Sequence, residues 1–432
     1  MKRVGILGGG IAGLSLSYFI GEDSEVLEKE AECGGLCRSY QKDGFTFDLG
    51  GHIIFSKDTE ILDFELELLK GQTNKLFRRN TVWFKHRFVK YPFENGIGVL
   101  DKDDIYDCLY NFLENPARPQ NTFEDWIYNT FGKGFAEHYL IPYNTKIWKT
   151  SPKEMGTHWV ERIPKPPVED IVKSALGIET EGYTHQLYFH YPKTGGFQTL
   201  PRTFEAHLGD RIVRKFPITK VRKTERGWAV SNGKDEREYK RIVNALPIFD
   251  FIACLEGVPD EVRRAVDSLQ YNSLIVVMVG LNRPRKVDMT STYFPQPDLI
   301  FHRVVFHDYF GSNYAPDGCS SMVCEITAKE TSSLWKMTDD QVANEVIDGL
   351  EREGFLERKE VMTTSIKRTK YAYAIYDLDR EKNLEIIYSW CKQEGIELCG
   401  RFAEFVYYNS DAVIRSAKTV AARINDEALQ HA

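Results

Sequence analysis

The chain has 432 residues, enough for a large core and more than one domain, and its 42% hydrophobic and 28% charged composition is that of an ordinary soluble globular protein. Its 56 basic and 63 acidic residues leave a net charge of −7, which argues against a nucleic-acid binder yet leaves room for a local basic pocket holding an anionic small ligand. Eight cysteines at irregular spacing make no disulfide framework and point to a reducing cytoplasm, and no segment beyond the N-terminus approaches the ~18–20 uninterrupted apolar residues of a membrane span.

The opening MKRVGILGGGIAGLSLSYFIG sets two basic residues before an apolar run. That is a superficial likeness to a secretory signal, which the glycine spacing explains better. RVGIL reads as a buried strand, IAGLSLSYFI carries apolar residues at helical spacing, and SEVLEKE reads as a second strand. Together they form a βαβ unit, where a parallel nucleotide-binding sheet begins. From about 59 to 182, stretches such as DDIYDCLYNFLEN and TFEDWIYNTFGKGFAEHYLIPYN predict a helical insertion rich in aromatics. Strand signals return near 186 with QLYFHYP; a helix after TGG leads to the alternation of a hairpin in RIVRKFPITKVRKTERGWAVSNG, and YKRIVNALP is another apolar strand stopped by proline. The runs SLIVVMVGL, TYFP, LIFHRVVF and SSMVCEIT predict a broad antiparallel sheet over about 272–327, followed by a helix at 339–352, a strand at 362–371 and a last helix, DAVIRSAKTVAARI, returning to the first domain. The expected class is α/β. Residues 1–58, 193–250 and 395–432 are assigned to a discontinuous Rossmann-like domain, 59–182 to a mainly helical domain, and 183–192 with 251–394 to an antiparallel-sheet substrate domain.

Gly8, Gly10 and Gly13 form G-x-G-x-x-G between the first strand and helix, with Glu28 at the end of the second strand. The first glycine makes the tight turn, the second lets a pyrophosphate approach, and the third allows close helix–strand packing. Amides at the helix start supply an anion site. A structural turn is the bland alternative. EAECGGLCRS follows at once: Gly34 and Gly35 permit a second backbone approach, and Arg38 can meet a phosphate. Cys33 and Cys37 as metal ligands would need a second ligand pair at zinc-like spacing, which is missing. In DLGGHIIFSKD, Gly50 and Gly51 bring the backbone close to a flat object, with the titratable ring of His52 beside it.

GGGIAG, the acid ending the second strand, GGLCRS and DLGGH together resemble the FAD-binding signature of the glutathione-reductase-type flavoproteins that include amine oxidases, protoporphyrinogen oxidase and UDP-galactopyranose mutase. The resemblance implies a Rossmann-like FAD-binding domain, with the isoalloxazine edge against Gly50, Gly51 and His52. Seven further segments, GGHIIFS, VKYPFENGI, LIPYNTKIW, WVERI, YFHYPKTGG, TYFP with FHR, and CGRFAEFVYYNSD, are similar in order to the eukaryotic-type UDP-galactopyranose mutases, so the likeness runs through nearly the whole chain.

That resemblance implies a site. Phe55, Tyr91, Phe93 and Tyr293 would line a slot for the uridine, although each read singly is a core aromatic. Arg162 and Arg303 would grip the diphosphate as charge-assisted clamps, joined by Tyr373 and Tyr407. Asn144 and Trp148 match residues lining the sugar pocket. Arg401 and the segment Asn409, Ser410, Asp411 match the part that contacts the flavin, and either Arg78 or Arg79 matches an arginine near the isoalloxazine. Two positions depart from the pattern. Glu94 stands where the family has a glutamine reading the uracil edge, and an ionised carboxylate only accepts hydrogen bonds, so it would accept the uracil N3–H but repel a base carbonyl. Gln186 stands where those mutases have asparagine in a loop near the sugar.

The implied activity is the interconversion of a nucleotide sugar between pyranose and furanose rings, through attack of reduced flavin N5 on the anomeric carbon, in a cytoplasmic enzyme supplying galactofuranose for cell-surface glycans. FAD is the implied cofactor, NAD(P)H an implied reductant and no metal is expected. The rival on the same fold is an amine or protoporphyrinogen-type oxidase, since fold does not fix function. A non-catalytic escort of prenylated GTPases is a third reading, which the intact glycine motif opposes. Nothing selects an oligomeric state; the helical insertion is where an interface between copies would fall.

Overall fold

The structure, a computed structural model, describes residues 2–117, 119–181 and 187–430. Two seven-stranded sheets organise it. The first places the apolar strand Lys2–Leu7 at its centre, parallel to Glu236–Asn244 on one side and to Ser24–Leu27 on the other, with Ile212–Val213 beyond. Lys220–Thr224 and Gly227–Ser231 continue it as an antiparallel meander, and Glu397–Leu398 pairs with the end of Glu236–Asn244. The helix Ile11–Ile20 leaves the central strand at Gly8 to Gly10 and packs against Ser410–Gln430 and Thr199–Leu208. A Cβ on Gly13 would sit 2.0 Å from the Gly8 carbonyl oxygen, so only glycine lets helix and strand approach this closely.

The second sheet runs in the order Val361–Ala374, Tyr271–Leu281, Ser320–Ala328, Arg303–Phe306, Ser291–Tyr293, Asn80–Phe84, Arg87–Lys90. The strand Tyr271–Leu281 is apolar without alternation because both of its faces are covered. The helix Asp339–Arg352 closes the rear face with Val342, Val346, Ile347 and Leu350 at helical spacing, and a Thr338–Gln341 capping box starts it. Two features depart from the expected antiparallel sheet. Ser291–Tyr293 and Asn80–Phe84 pair in parallel, making the sheet mixed. The pair Asn80–Phe84 and Arg87–Lys90 also comes from the stretch expected to be mainly helical.

Thr73–Phe77 is a further strand from that stretch, which otherwise carries the helices Thr59–Leu68, Lys102–Leu113, Phe123–Phe135, Ile141–Trp148 and Val168–Ala175. The strand Tyr188–Pro192 pairs with Thr73–Phe77. All eight cysteines are unpaired. Among the described residues no helix is long and apolar enough to cross a membrane, and no group of three or more His, Cys, Asp or Glu could hold a metal ion.

Candidate active site

Between the two sheets lies one cleft of about 1440 Å³, and most of the residues singled out above line it. At one end are Gly8, Gly10, Glu28, Gly35 and Arg38. The helix Ile11–Ile20 starts at Gly10 with no side-chain cap, leaving its first N–H groups facing this end. A Cβ on Gly10 would meet no protein atom within 4 Å and would project into the open cleft. Glu28, buried, accepts from the Gly9 N–H at 2.9 Å and the Glu30 N–H at 2.8 Å, and each oxygen keeps a lone pair. The Nε of Arg38 is buried with no protein partner.

The glycine loop at 50–52 is held from behind by buried charge. Asp48 accepts from Ser39 Oγ at 2.6 Å, Tyr191 OH at 2.5 Å and the Phe197 N–H at 3.1 Å, with His307 at 3.5 Å. Burial works to raise its carboxyl, but His307 and His52 outweigh burial and hold it below the ordinary value. Gly50 has φ +110°, which favours glycine, and Gly51 donates its N–H to Glu325 Oε1 at 2.8 Å. Glu325 also takes Arg303 Nη2 at 2.5 and 2.7 Å. Burial opposes its ionisation, yet Arg303 and His302 keep it well below the usual carboxylate range; the same pairing raises Arg303 against its own desolvation. The His52 ring stacks on Phe197 at 5.1 Å, with its Nδ1 buried and unpartnered. Desolvation lowers its pKa below the ordinary histidine value, Asp48 and Glu325 offsetting only part of this, so the ring is neutral at pH 7.

In the middle of the cleft the rings and guanidiniums alternate. Arg162 lies 4.2 Å and Arg401 4.3 Å from the Tyr407 ring centroid, and Tyr373 stacks on Tyr407 at 5.9 Å. Arg401 is fixed by the Tyr408 and Ala372 carbonyls at 3.1 and 2.7 Å. Desolvation lowers the Arg162 pKa from the ordinary arginine value. Trp148 Nε1 donates to Asn144 Oδ1 at 3.1 Å, and Asn144 Nδ2 to the Leu140 carbonyl at 2.7 Å, so this pair forms a braced wall. Asp411, at the start of the last helix, takes Ser56 Oγ at 2.6 Å, and with Asn409 and Ser410 borders the cleft beside Phe55.

The far end is aromatic. Tyr91 and Tyr293 lie 5.1 Å apart, Tyr143 is 5.5 Å from Tyr293, and Tyr139 stacks on Tyr143 at 5.4 Å. Glu94 is set among them, 2% exposed, with its carboxyl raised to about 7 by desolvation.

Some of the expected residues lie elsewhere. Phe93 is fully buried and stacks on Tyr139 at 5.0 Å, edge-on to Phe84 and Phe135; it supports the aromatic end from the helical core and does not line the cleft. Gly13 and Gly50 act behind the wall, in packing and in the turn. Arg78 lines the cleft and donates to the reoriented Asn80 amide oxygen at 2.9 Å, whereas Arg79 turns out to Asp288. Gln186 falls outside the described residues. Sequence reasoning missed Tyr139 and Tyr143, and above all Glu325, whose signal was available as the single charge in the apolar run SSMVCEITA.

The fold has close structural counterparts. A reduced UDP-galactopyranose mutase superposes with a TM-score of 0.90 at 24% identity, covering 99% of this chain and 96% of its own. A protein provisionally described as a protoporphyrinogen oxidase, from Exiguobacterium, gives 0.77 at 17% identity with 99% of each chain covered. A putrescine oxidase bound to putrescine gives 0.69 at 18%, covering 98% and 99%. These likenesses establish the fold, that of FAD-dependent oxidoreductases and of the mutase. The profile of the flavin-containing amine oxidoreductases matches residues 21–425, and the chain belongs to that family.

Proposed function

We propose that the chain is a flavin-dependent mutase that interconverts the pyranose and furanose forms of a nucleotide sugar, UDP-galactopyranose and UDP-galactofuranose first, with FAD as cofactor in its reduced form. One observation carries the reading: Arg162 and Arg303, with the Tyr373 and Tyr407 phenols, stand in the middle of a single cleft whose ends are a dinucleotide cradle and an aromatic slot. That order, cradle, cations, slot, suits a second anionic nucleotide laid against the first. A cationic amine would meet three guanidiniums, those of Arg162, Arg303 and Arg401, so the putrescine-oxidase alternative is electrostatically opposed.

The cradle fits FAD. The uncapped helix start and the open space beside Gly10 suit a pyrophosphate, the free lone pairs of Glu28 suit ribose hydroxyls, and the orphaned Arg38 Nε suits a phosphate oxygen. When bound and reduced, the isoalloxazine supplies a nucleophilic N5 for the anomeric carbon, with NAD(P)H proposed as reductant. The chain's own part is electrostatic. Arg162 and Arg303 offset the charge that grows on the departing diphosphate, the half-buried Arg303 from the wall of the cleft and the exposed Arg162 from its mouth. Tyr373 and Tyr407 give hydroxyl donors to the same group; burial raises the Tyr373 pKa, so it stays protonated. Asn144 and Trp148 wall the sugar, holding C1 in place while the leaving group stays close enough to return. Neutral His52 adds no charge at the isoalloxazine edge.

The test is turnover of UDP-galactofuranose to UDP-galactopyranose, followed by chromatography, in reduced and oxidised samples. Product in the reduced sample alone is the expected result. Steady oxygen consumption with an amine or a porphyrinogen, without sugar turnover, would overturn the reading.

A further inference from the structure

Among the described residues Glu94 is the one acidic group buried at the aromatic end of the cleft, and none of them gives it a counter-charge. It sits in the short turn Phe93–Asn95, 2% exposed, with its carboxyl bordering the cleft. Tyr139 faces it from the helical side, and Tyr143, Tyr91 and Tyr293, gathered around Tyr139, border the same end of the cleft. From the helix Lys102–Leu113 come Cys108, a buried thiol, and Asp104, which pairs with Lys85 at 2.7 Å. His138 is engaged by Asp107 at 3.1 Å, and Lys90 by the Thr180 carbonyl at 2.6 Å and by Glu181. The Asn95 amide is spent on Thr180, donating to its carbonyl at 3.0 Å and accepting its hydroxyl at 2.8 Å. Among the described residues the Glu94 side chain therefore meets no cation, and only its own backbone N–H contributes a hydrogen bond.

We propose that Glu94 reads its ligand as a neutral carboxylic acid, donating its O–H to a ring carbonyl while accepting the neighbouring ring N–H, so that loss of this proton releases the nucleotide. The inference rests on the nucleotide-sugar reading above and adds to it a recognition group and a pH control. Aromatic walls call for a planar ring. Desolvation of a buried carboxyl with no counter-charge favours its neutral form, here raising the pKa to about 7 so that the proton is gained and lost around neutral pH. A neutral carboxyl presents one donor beside one acceptor, the same edge that a glutamine amide presents. Uracil, with N3–H between two carbonyls, matches that edge. The ionised form presents two acceptors and repels a carbonyl; it matches instead a ring with two adjacent donors, as guanine has.

The experiment is calorimetric titration of the FAD-loaded protein and of Glu94→Gln with UDP-galactose, whose diphosphate diester does not titrate in the range used, and with GDP-mannose, between pH 6 and pH 8.5. If only the neutral form binds, the apparent affinity scales with its population, and the wild type weakens about 30-fold for UDP-galactose across that range while Glu94→Gln changes by less than threefold. Glu65 and Lys146 also carry pKa values displaced to about 8 and about 7, but both are present in the variant, so the difference between the two proteins isolates Glu94. A wild-type profile as flat as the variant's overturns the proposal. So does affinity that rises with pH, above all for GDP-mannose, which would make the ionised form the reader. If neither protein binds either nucleotide at any pH, it is the nucleotide-sugar reading itself that fails, and this proposal with it.

Discussion

Replacing Glu325 with glutamine separates two consequences of one buried charge. The carboxylate accepts both Arg303 contacts and the Gly51 N–H, and it is fully buried. Glutamine keeps the shape but turns an N–H₂ toward the guanidinium or toward the Gly51 N–H, leaving Arg303 without a counter-charge. Breaking one side of a buried ion pair costs about 3–5 kcal/mol; Arg303 keeps a side-chain exposure of 22%, so the lower end applies, about 3 kcal/mol. For ligand the sign reverses. A phosphate on the cleft side of the guanidinium lies on the order of 7 Å from the carboxylate, and at an effective dielectric near 20 their repulsion is about 2 kcal/mol. Removing it tightens binding of UDP about 30-fold.

The assay is paired: the urea midpoint of the FAD-loaded protein, and the Kd for UDP by titration at fixed ionic strength. The expected outcome is a protein that is less stable alone, binds UDP more tightly, and turns over UDP-galactofuranose more slowly because Arg303 is no longer aimed. Two proteins with equal Kd within twofold would show that the diphosphate does not sit against Arg303, and the site would have to be redrawn around Arg162. Because the folded Glu325 pKa is depressed, the pair's contribution to stability is present above the unfolded value near 4.5 and is lost only as the pH falls far below it, so these measurements at pH 7 carry no titration of the pair.

Gly13→Ala and Gly10→Ala should fail differently. The first drives a Cβ to 2.0 Å from a carbonyl oxygen and yields little folded protein, whereas the second meets open space and should keep the apoprotein's melting temperature while losing flavin, read as the absorbance ratio near 450 and 280 nm. Arg162→Lys keeps a charge but loses the planar face set on Tyr407, and should cut kcat/KM for UDP-galactofuranose by about tenfold or more; activity within twofold would remove the planar contact from the argument. Glu65 is buried, both oxygens lack partners, and burial with Asp411 nearby raises its carboxyl to about 8. A raised folded pKa penalises the fold progressively from about pH 4.5 to 8 and fully above, so Glu65→Gln should match the wild type at pH 4 and exceed it at pH 9 by up to about 5 kcal/mol in urea unfolding; equal pH profiles would refute the assignment.

What the sequence disclosed was whatever a few neighbouring residues determine. The glycine trio, the strand before it and the helix after it are local, and they sit in the structure as the spacing implies. The hairpin at 80–90 was hidden because its turn, Lys85 and His86, holds φ of 48° and 59° without glycine or asparagine, so the usual turn signal is missing. The resemblance assigns Phe93 to the slot, although read singly it is a core aromatic; its packing on Tyr139 and Phe135 puts it in the core.

The deeper gap concerns charge. Arg303 and Glu325 are side by side in the register of adjacent strands but far apart in the chain, so an arginine that reads as a free clamp is in fact half neutralised before any ligand arrives. Glu94 errs in the opposite direction: as a letter it is an anion, but burial raises its carboxyl to about 7, so the neutral form proposed as the reader is populated near neutral pH. Both corrections bear on the same ligand. A half-neutralised Arg303 lowers the cost of emptying the site, and a protonated Glu94 lowers the cost of bringing a neutral ring into it. On the proposed function, which needs the diphosphate kept close while the sugar rearranges and then released intact, a grip that is strong only when both groups are set is an advantage. Formal charges alone would predict a tighter clamp and a repelled base, which is why affinity for the nucleotide, more than the presence of the arginines, is the quantity that discriminates between these accounts.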